Sequence, residues 1–282
     1  MIAGCGAQSL KLGRPAGQWR AKVESPIVTV AARRVDGDVA QQLSETLAVE
    51  TAVALEFNGR AHAVMLATPA NLEDFALGFA LTEGIIRHAD ELKLVEQEWT
   101  PRGVVLKIRI PEMRFALLET RERNLTGRTG CGLCGTSTLE AAIRPVRHAD
   151  PAGRRLDARA LRSGIERLAT MQPFNDASGA VHAAALMSTD GGFSVREDVG
   201  RHNAIDKVVG AVARAGASPH SLLVTSRASY EVVHKAAEVG CTVVAAISAP
   251  TALAVQLAKE AGMTLVGWAR PPRMTLYCGE LA

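Results

Sequence analysis

The chain has 282 residues and a mass of 29.8 kDa, enough for one large core or two small ones. With 48% hydrophobic and 22% charged residues it reads as a soluble globular protein, and no apolar run approaches the roughly eighteen residues of a membrane helix. A net charge of +3 and 4% aromatics, which do not interleave with the arginines, argue against a nucleic-acid partner.

Residues 1–25 are rich in glycine and small side chains and lack a continuous apolar segment, so they read as a disordered tail and not a signal peptide. That places the protein in the cytoplasm, where thiols stay reduced. The stretch "TLAVETAVALEFNGRAHAVMLAT" alternates on both sides of Asn58-Gly59 and predicts a hairpin. Leu72, Phe75, Phe79 and Ile86 then recur at broadly helical spacing, and "ELKLVEQEWTPRGVVLKIRI" predicts a second hairpin. Residues 26–118 are therefore expected to form a small α+β subdomain.

Residues 119–155 hold a cysteine stretch and an Arg-rich connection. Between Arg121 and Arg167 there are ten arginines against five acids, a local +5 that leaves the rest of the chain at −2. Such a run is a solvated basic face or a docking surface for an anionic cofactor or acidic partner. Residues 156–282 begin with a helix, "LDARALRSGIERLATMQ". They continue as strands "AVHAAALMS" and "FSVRED", helix "RHNAIDKVVGAVARAG", strand "SLLVTS", helix "SYEVVHKAAEVG", strand "TVVAAIS", helix "PTALAVQLAKEAG" and a last core strand "MTLVGWA". Continuous apolar strands alternating with helices predict a three-layer α/β sheet, partly parallel.

Of five cysteines, Cys5 lies in the tail, Cys241 and Cys278 read as structural, and Cys131 and Cys134 form a C-x-x-C. Four glycines (127, 130, 132 and 135) surround the pair, which predicts a backbone that can move. Ser137-Thr138-Leu139-Glu140 has capping-box spacing, so a helix is expected just behind Cys134. Its dipole and Arg128 would favour thiolate, the nucleophilic form. A structural zinc site would need a second ligand pair, which the sequence lacks. A thioredoxin-like pair would follow the first strand of its fold. Zinc nucleobase deaminases use H-x-E followed by P-C-x-x-C. Here His182-Ala183-Ala184 puts alanine where that glutamate would be, the C-x-x-C precedes the histidine, and no proline precedes Cys131. No zinc is expected, and His182 reads as a satisfied core histidine. What remains is a reactive thiol pair suited to handing on a group.

Five stretches together carry a resemblance: "GRTGCGLCGTSTLE", "GAVHAAAL", "REDVGRHNAIDKVVG", "LLVTSRASYEVVHKAAEVG" and "AISAPTALAVQLAKEAGMTLVGWAR". The chain resembles the FdhD family, sulfur carrier proteins required for formate dehydrogenase activity, from about Ile27 to Tyr277. The resemblance implies a cytidine-deaminase-like C-terminal α/β domain without the deaminase zinc. It also implies a sulfurtransferase that takes persulfide sulfur from a cysteine desulfurase. The sulfur would go to the molybdenum cofactor, Mo-bis(molybdopterin guanine dinucleotide), of the formate dehydrogenase catalytic subunit. The persulfide-bearing residue maps onto Cys131, with Cys134 as resolving or second carrier thiol, and the working form is expected to be a homodimer. The guanine-dinucleotide contact maps onto Trp268, Ala269, Arg270, Pro271, Pro272 and Arg273; many relatives have Phe at the Trp268 position.

On residue chemistry, Trp268 could stack on guanine while Arg270 and Arg273 pair with phosphates. Arg201 and His202 should open a helix, where free N–H groups welcome anions, with Glu197 and Asp198 as alternative partners for Arg201. Ser226 and Arg227 should follow a core strand at the usual ligand-binding edge. The competing reading is an insertion chaperone that binds the cofactor without carrying sulfur.

Overall fold

A computed structural model describes residues 25–123, 146–148 and 156–282. Cys131, Cys134, the expected capping box and most of the Arg-rich connection lie outside the described residues, as does the tail before residue 25.

Strands β1 (Ile27–Asp36) and β2 (Val39–Ala48) pair as an antiparallel ribbon from Ile27↔Ala48 to Asp36↔Val39. The pattern reading gave no element there, because the ribbon is largely exposed on both faces and shows no apolar alternation. Strands β3 (Thr51–Phe57), β4 (Arg60–Ala67), β5 (Leu94–Thr100) and β6 (Gly103–Arg109) form a second sheet in the order β4-β3-β6-β5. Both predicted hairpins, β3–β4 and β5–β6, are present. Asn58 and Gly59 both take positive φ (48° and 85°), the twist that closes a two-residue hairpin.

Helix α1 (Leu72–Thr82) covers one face of this sheet. Its Phe75 and Phe79 join Val53, Leu55, Phe57, Leu106 and Ile108 in a core whose buried members are at most 7% exposed. Each such side chain contributes about 1.5–3 kcal/mol by leaving water. Helix α2 (Glu112–Arg123), not anticipated from the pattern, adds Leu118 to that core.

The second unit runs α3 (Ala158–Ala169), α4 (Pro173–Ser178), β7 (His182–Ser188), β8 (Phe193–Asp198), α5 (Arg201–Arg214) and β9 (Pro219–Val224). It continues with α6 (Tyr230–Glu238), β10 (Val243–Ala246), α7 (Ala252–Glu260), β11 (Thr264–Arg270) and β12 (Arg273–Cys278). The six strands are ordered β12-β11-β10-β9-β7-β8. Strands β9, β10 and β11 are mutually parallel, and the outer pairings are antiparallel. Alternation along each parallel strand feeds two cores. Leu222, Val224, Val244 and Leu265 face α5, α6 and α7, whereas Leu223, Ala245 and Val266 face Leu161, Ile165 and Leu168 of α3. This is the expected three-layer, partly parallel sheet. Strand β11 is the last core strand, as expected; the chain then turns at Pro271-Pro272 and returns along its edge as β12, a half-exposed strand the pattern did not announce.

Helices α1 and α5 join the two units by backbone contact. A Cβ built on Gly78 would sit 1.6 Å from the Asp206 carbonyl oxygen, and one on Gly210 would sit 1.9 Å from that of Asp74. Buried polar groups lock the joint. Lys207 Nζ lies 2.6 Å from Asp198 Oδ2 and donates to the Thr68 carbonyl at 2.8 Å. Lys235 Nζ meets Asp206 at 2.8 Å, Glu83 at 3.0 Å and the Thr82 hydroxyl at 2.9 Å. The alternative pairing of Glu197 and Asp198 with Arg201 does not occur. Asp198 is committed to Lys207 and Asn203, and Glu197 accepts the backbone N–H groups of Phe174 and Asn175.

The loop after α1 is pinned by Glu91. One carboxylate oxygen accepts the Arg87 and His88 N–H groups at 2.7 and 3.3 Å, and the other takes Arg114 at 2.7 and 2.9 Å. Partial burial alone would raise the Glu91 pKa; Arg114 and the backbone donors overcome that and lower it from 4.5 to about 2. A carboxyl depressed on folding stabilises fully above its unfolded pKa. The contribution is lost as pH falls from about 4.5 through about 2. Glu91→Gln should therefore destabilise at neutral pH and lose that difference in acid. Urea midpoints of the two proteins at pH 7, 4.5 and 3 should converge; a constant gap would contradict the assignment.

Candidate functional site

Because β9, β10 and β11 are parallel, their C-terminal ends share one edge of the sheet, the position where α/β sheets bind ligands. The antiparallel neighbours bring the start of β7, at His182, and the end of β8, at Asp198, to the same edge. Helices α5, α6 and α7 all begin there, so three positive dipole ends point at it.

One cluster forms at the start of α5. Arg201 and His202 stand at its first two positions, as the sequence suggested, and both turn to Glu231 in the first turn of α6. The distances are 3.9 Å from Arg201 Nη2 and 3.0 Å from His202 Nε2 to Glu231 Oε2, which also accepts the Ser229 hydroxyl at 3.2 Å. Glu231 is held below the usual carboxylate range, first by His202 and then by Ser229 and Arg201 against its burial. His182, expected in the core, is instead half-buried at this edge. Burial lowers its pKa, and the charges of Arg201 and His202 lower it further. It is therefore a neutral imidazole at physiological pH.

The second cluster is the β11–β12 turn. Residues 268 and 269 fall in a register irregularity between the Gly267↔Thr275 and Arg270↔Arg273 pairs. Trp268 takes φ 50°, a left-handed conformation that costs a bulky residue about 1–2 kcal/mol. Its backbone N–H is tied to the Ser248 carbonyl at 3.1 Å. The indole is 45% exposed, and the Arg270 guanidinium carbon lies 5.4 Å from the ring centroid. Arg270 Nε donates to the Ile247 carbonyl at 3.1 Å. Pro271-Pro272 is a cis pair, and Arg273 is exposed. Ala269 is fully buried, so its side chain belongs to the core and faces no ligand.

Ser226 and Arg227 follow β9 as anticipated. Ser226 is buried with its hydroxyl donating to the Arg227 carbonyl, and Arg227 is exposed. The Ala228↔Pro250 bridge and the Ser248–Trp268 hydrogen bond connect this segment to the Trp268 turn. The two clusters thus line one edge, with β9 and β11 two strand spacings, roughly 10 Å, apart. Among the described residues, Arg227, Arg270 and Arg273 form no ion pair. The edge offers an exposed aromatic face, unneutralised guanidinium groups and helix N-termini, a combination suited to a nucleotide-like anion. Glu231, Ser229 and His182 were not anticipated. Only the position of Ser229-x-Glu231 at the start of a helix hinted at the first two.

The chain belongs to the FdhD/NarQ family, whose model matches residues 48–281. It is 50% identical over 234 residues to the sulfur carrier protein FdhD of Variovorax paradoxus (strain S110), covering 82% of this chain and 84% of that one. It is 48% identical over 250 residues to the protein of the same name from Xanthomonas euvesicatoria pv. vesicatoria (strain 85-10), covering 87% and 88%. A crystal structure from Desulfotalea psychrophila, of a protein provisionally assigned as a formate dehydrogenase accessory protein, has the same fold. Its TM-score is 0.69 at 25% identity, over 90% of this chain and 98% of that one.

Proposed function

We propose that the protein is a cytoplasmic sulfur carrier that moves persulfide sulfur from a cysteine desulfurase to the bis(molybdopterin guanine dinucleotide) cofactor of the formate dehydrogenase catalytic subunit. In the first step the Cys131 thiolate attacks the terminal sulfur of the desulfurase persulfide. One S–S bond breaks as another forms, the desulfurase leaves as thiolate, and Cys131 becomes Cys131–S–SH with no net redox change. Cys134, three residues further along the chain, serves as the resolving thiol or as a second carrier. The homodimer and the formate dehydrogenase partner belong to the same reading. Among the described residues, no helix is long and apolar enough to cross a membrane.

The observation that carries the cofactor half of this reading is Trp268, exposed and held left-handed between Arg270 and the Ser248 carbonyl. Strained, exposed aromatic residues cluster at ligand sites because the surrounding structure enforces the conformation. Trp268 would stack on guanine, while Arg270, Arg273 and Arg227 would meet phosphates and the start of α5 would receive the remaining charge. GDP, which carries the same guanine and diphosphate, is the probe. Aromatic–base stacking of about 1–3 kcal/mol predicts that Trp268→Ala weakens GDP binding about 5- to 150-fold, while Trp268→Phe retains most of it. An unchanged affinity in Trp268→Ala would remove the turn from the pocket.

A further inference from the structure

The far end of the same sheet holds a cavity of about 650 Å³, within the size range of binding sites. It lies where β9 begins and where α5 and α6 end, so α5, about 21 Å long, separates it from the edge described above. Its floor is apolar, made by Leu81, Val146, Val209, Ala213 and Val239. Arg87, His88 and Arg147 line it and are exposed; among the described residues of the lining, Glu238, 3.9 Å from His234, is the only acid. Among the described residues, neither Arg87 nor Arg147 forms an ion pair. The negative dipole ends of α5 and α6 are already engaged, Gly216 N–H bonding Ala213 and Gly240 N–H bonding Ala237. The arginines therefore set the sign of the opening. Glu91 fixes the position of Arg87 and His88 by holding their backbone N–H groups.

We infer that this cleft is the docking surface for the sulfur donor, and that it receives a segment carrying an apolar side chain flanked by carboxylates. Charge complementarity selects the acidic flanks and the floor selects the apolar anchor. The position of the cleft selects the donor over the acceptor: it lies at the end of the sheet away from the Trp268 edge, so a protein seated here leaves that edge open for the cofactor.

The inference rests on the sulfur-carrier reading, and the experiment separates the two. A purified cysteine desulfurase is titrated against the full-length chain, and Cys131 loading is followed by intact mass with two donors, the desulfurase with cysteine and inorganic polysulfide. The Arg87→Glu/Arg147→Glu double variant and Ala213→Trp, which fills the floor, should each bind the desulfurase at least about 10-fold more weakly. Both should load from it correspondingly slowly at limiting protein and load from polysulfide at the wild-type rate. Arg33→Glu, on the β1–β2 ribbon, should behave as wild type. Wild-type loading from neither donor would overturn the carrier reading. Wild-type affinity in both cleft variants would overturn the docking inference alone. So would a shift of their monomer–dimer balance in sedimentation, which would assign the cleft to a second copy. A fall in melting temperature without any change in affinity would assign it to the chain's own segments.

Discussion

Gly210→Ala is expected to destabilise the protein by about 2–4 kcal/mol and to lower its melting temperature by roughly 5–15 °C. Two effects of opposite sign compete. Alanine is the better helix former by about 1 kcal/mol, so on propensity alone the substitution would stabilise α5. The added Cβ, however, would sit 1.9 Å from the Asp74 carbonyl oxygen and 2.9 Å from the Gly78 nitrogen. Both obstacles are backbone, so no side chain can rotate away and α1 must move off α5. That movement stretches bonds placed on the present spacing, including Thr82 to Asp206 at 2.6 Å and Lys235 to Thr82 at 2.9 Å. Buried charges that lose a partner are costly, so overpacking wins. Gly78→Ala should behave alike, since its Cβ meets the Asp206 carbonyl at 1.6 Å. The double variant should cost clearly less than the sum, because one separation of the helices accommodates both methyl groups. Urea unfolding of the three variants checks this; an unchanged midpoint in Gly210→Ala would show that the helices part freely.

The second large effect concerns the thiols. In a strain lacking this protein, Cys131→Ala is expected to reduce restored formate dehydrogenase activity by at least about 100-fold, because a carrier without its nucleophile cannot accept sulfur. Trp268→Ala should give a smaller loss, since it weakens cofactor binding and leaves the sulfur-accepting step intact. The insertion-chaperone reading predicts the reverse order. Under it, a Cys131→Ala/Cys134→Ala double variant would still restore activity, while Trp268→Ala would not.

Much of the architecture was readable in residue patterns for identifiable reasons. Apolar runs such as "SLLV" and "TVVAA" are buried on both faces, so they stand out whatever surrounds them. Asn58-Gly59 announced its hairpin because few residues tolerate that backbone. The β1–β2 ribbon escaped because Val35 and Val39 are 66% and 70% exposed and its faces do not alternate, although Asp36-Gly37 carried a turn signal. Strand β12 escaped for a similar reason, being a half-exposed edge strand.

At the candidate site, position along an element was legible and partnership was not. Arg201, His202, Ser226 and Arg227 fall at the sheet edge because strand ends and helix starts can be read from pattern. Asp198, by contrast, pairs with Lys207 and not with Arg201. That choice is set by the face of α5 turned toward Thr68, which only tertiary packing defines. Glu231 and His182 join the Arg201 cluster for the same reason, arriving from α6 and β7. Trp268 was singled out by its chemistry and by resemblance, but its left-handed backbone and its place within β11 came from the structure.

The central claim is that Cys131 bears the travelling sulfur, and intact mass of the full-length protein after incubation with a cysteine desulfurase and cysteine tests it most directly. A single persulfide adds roughly 32 Da. That adduct is expected in the wild type, should be removed by a thiol reductant, and should be absent in Cys131→Ala. An adduct that persists in Cys131→Ala, or never forms on the wild type, would contradict that claim.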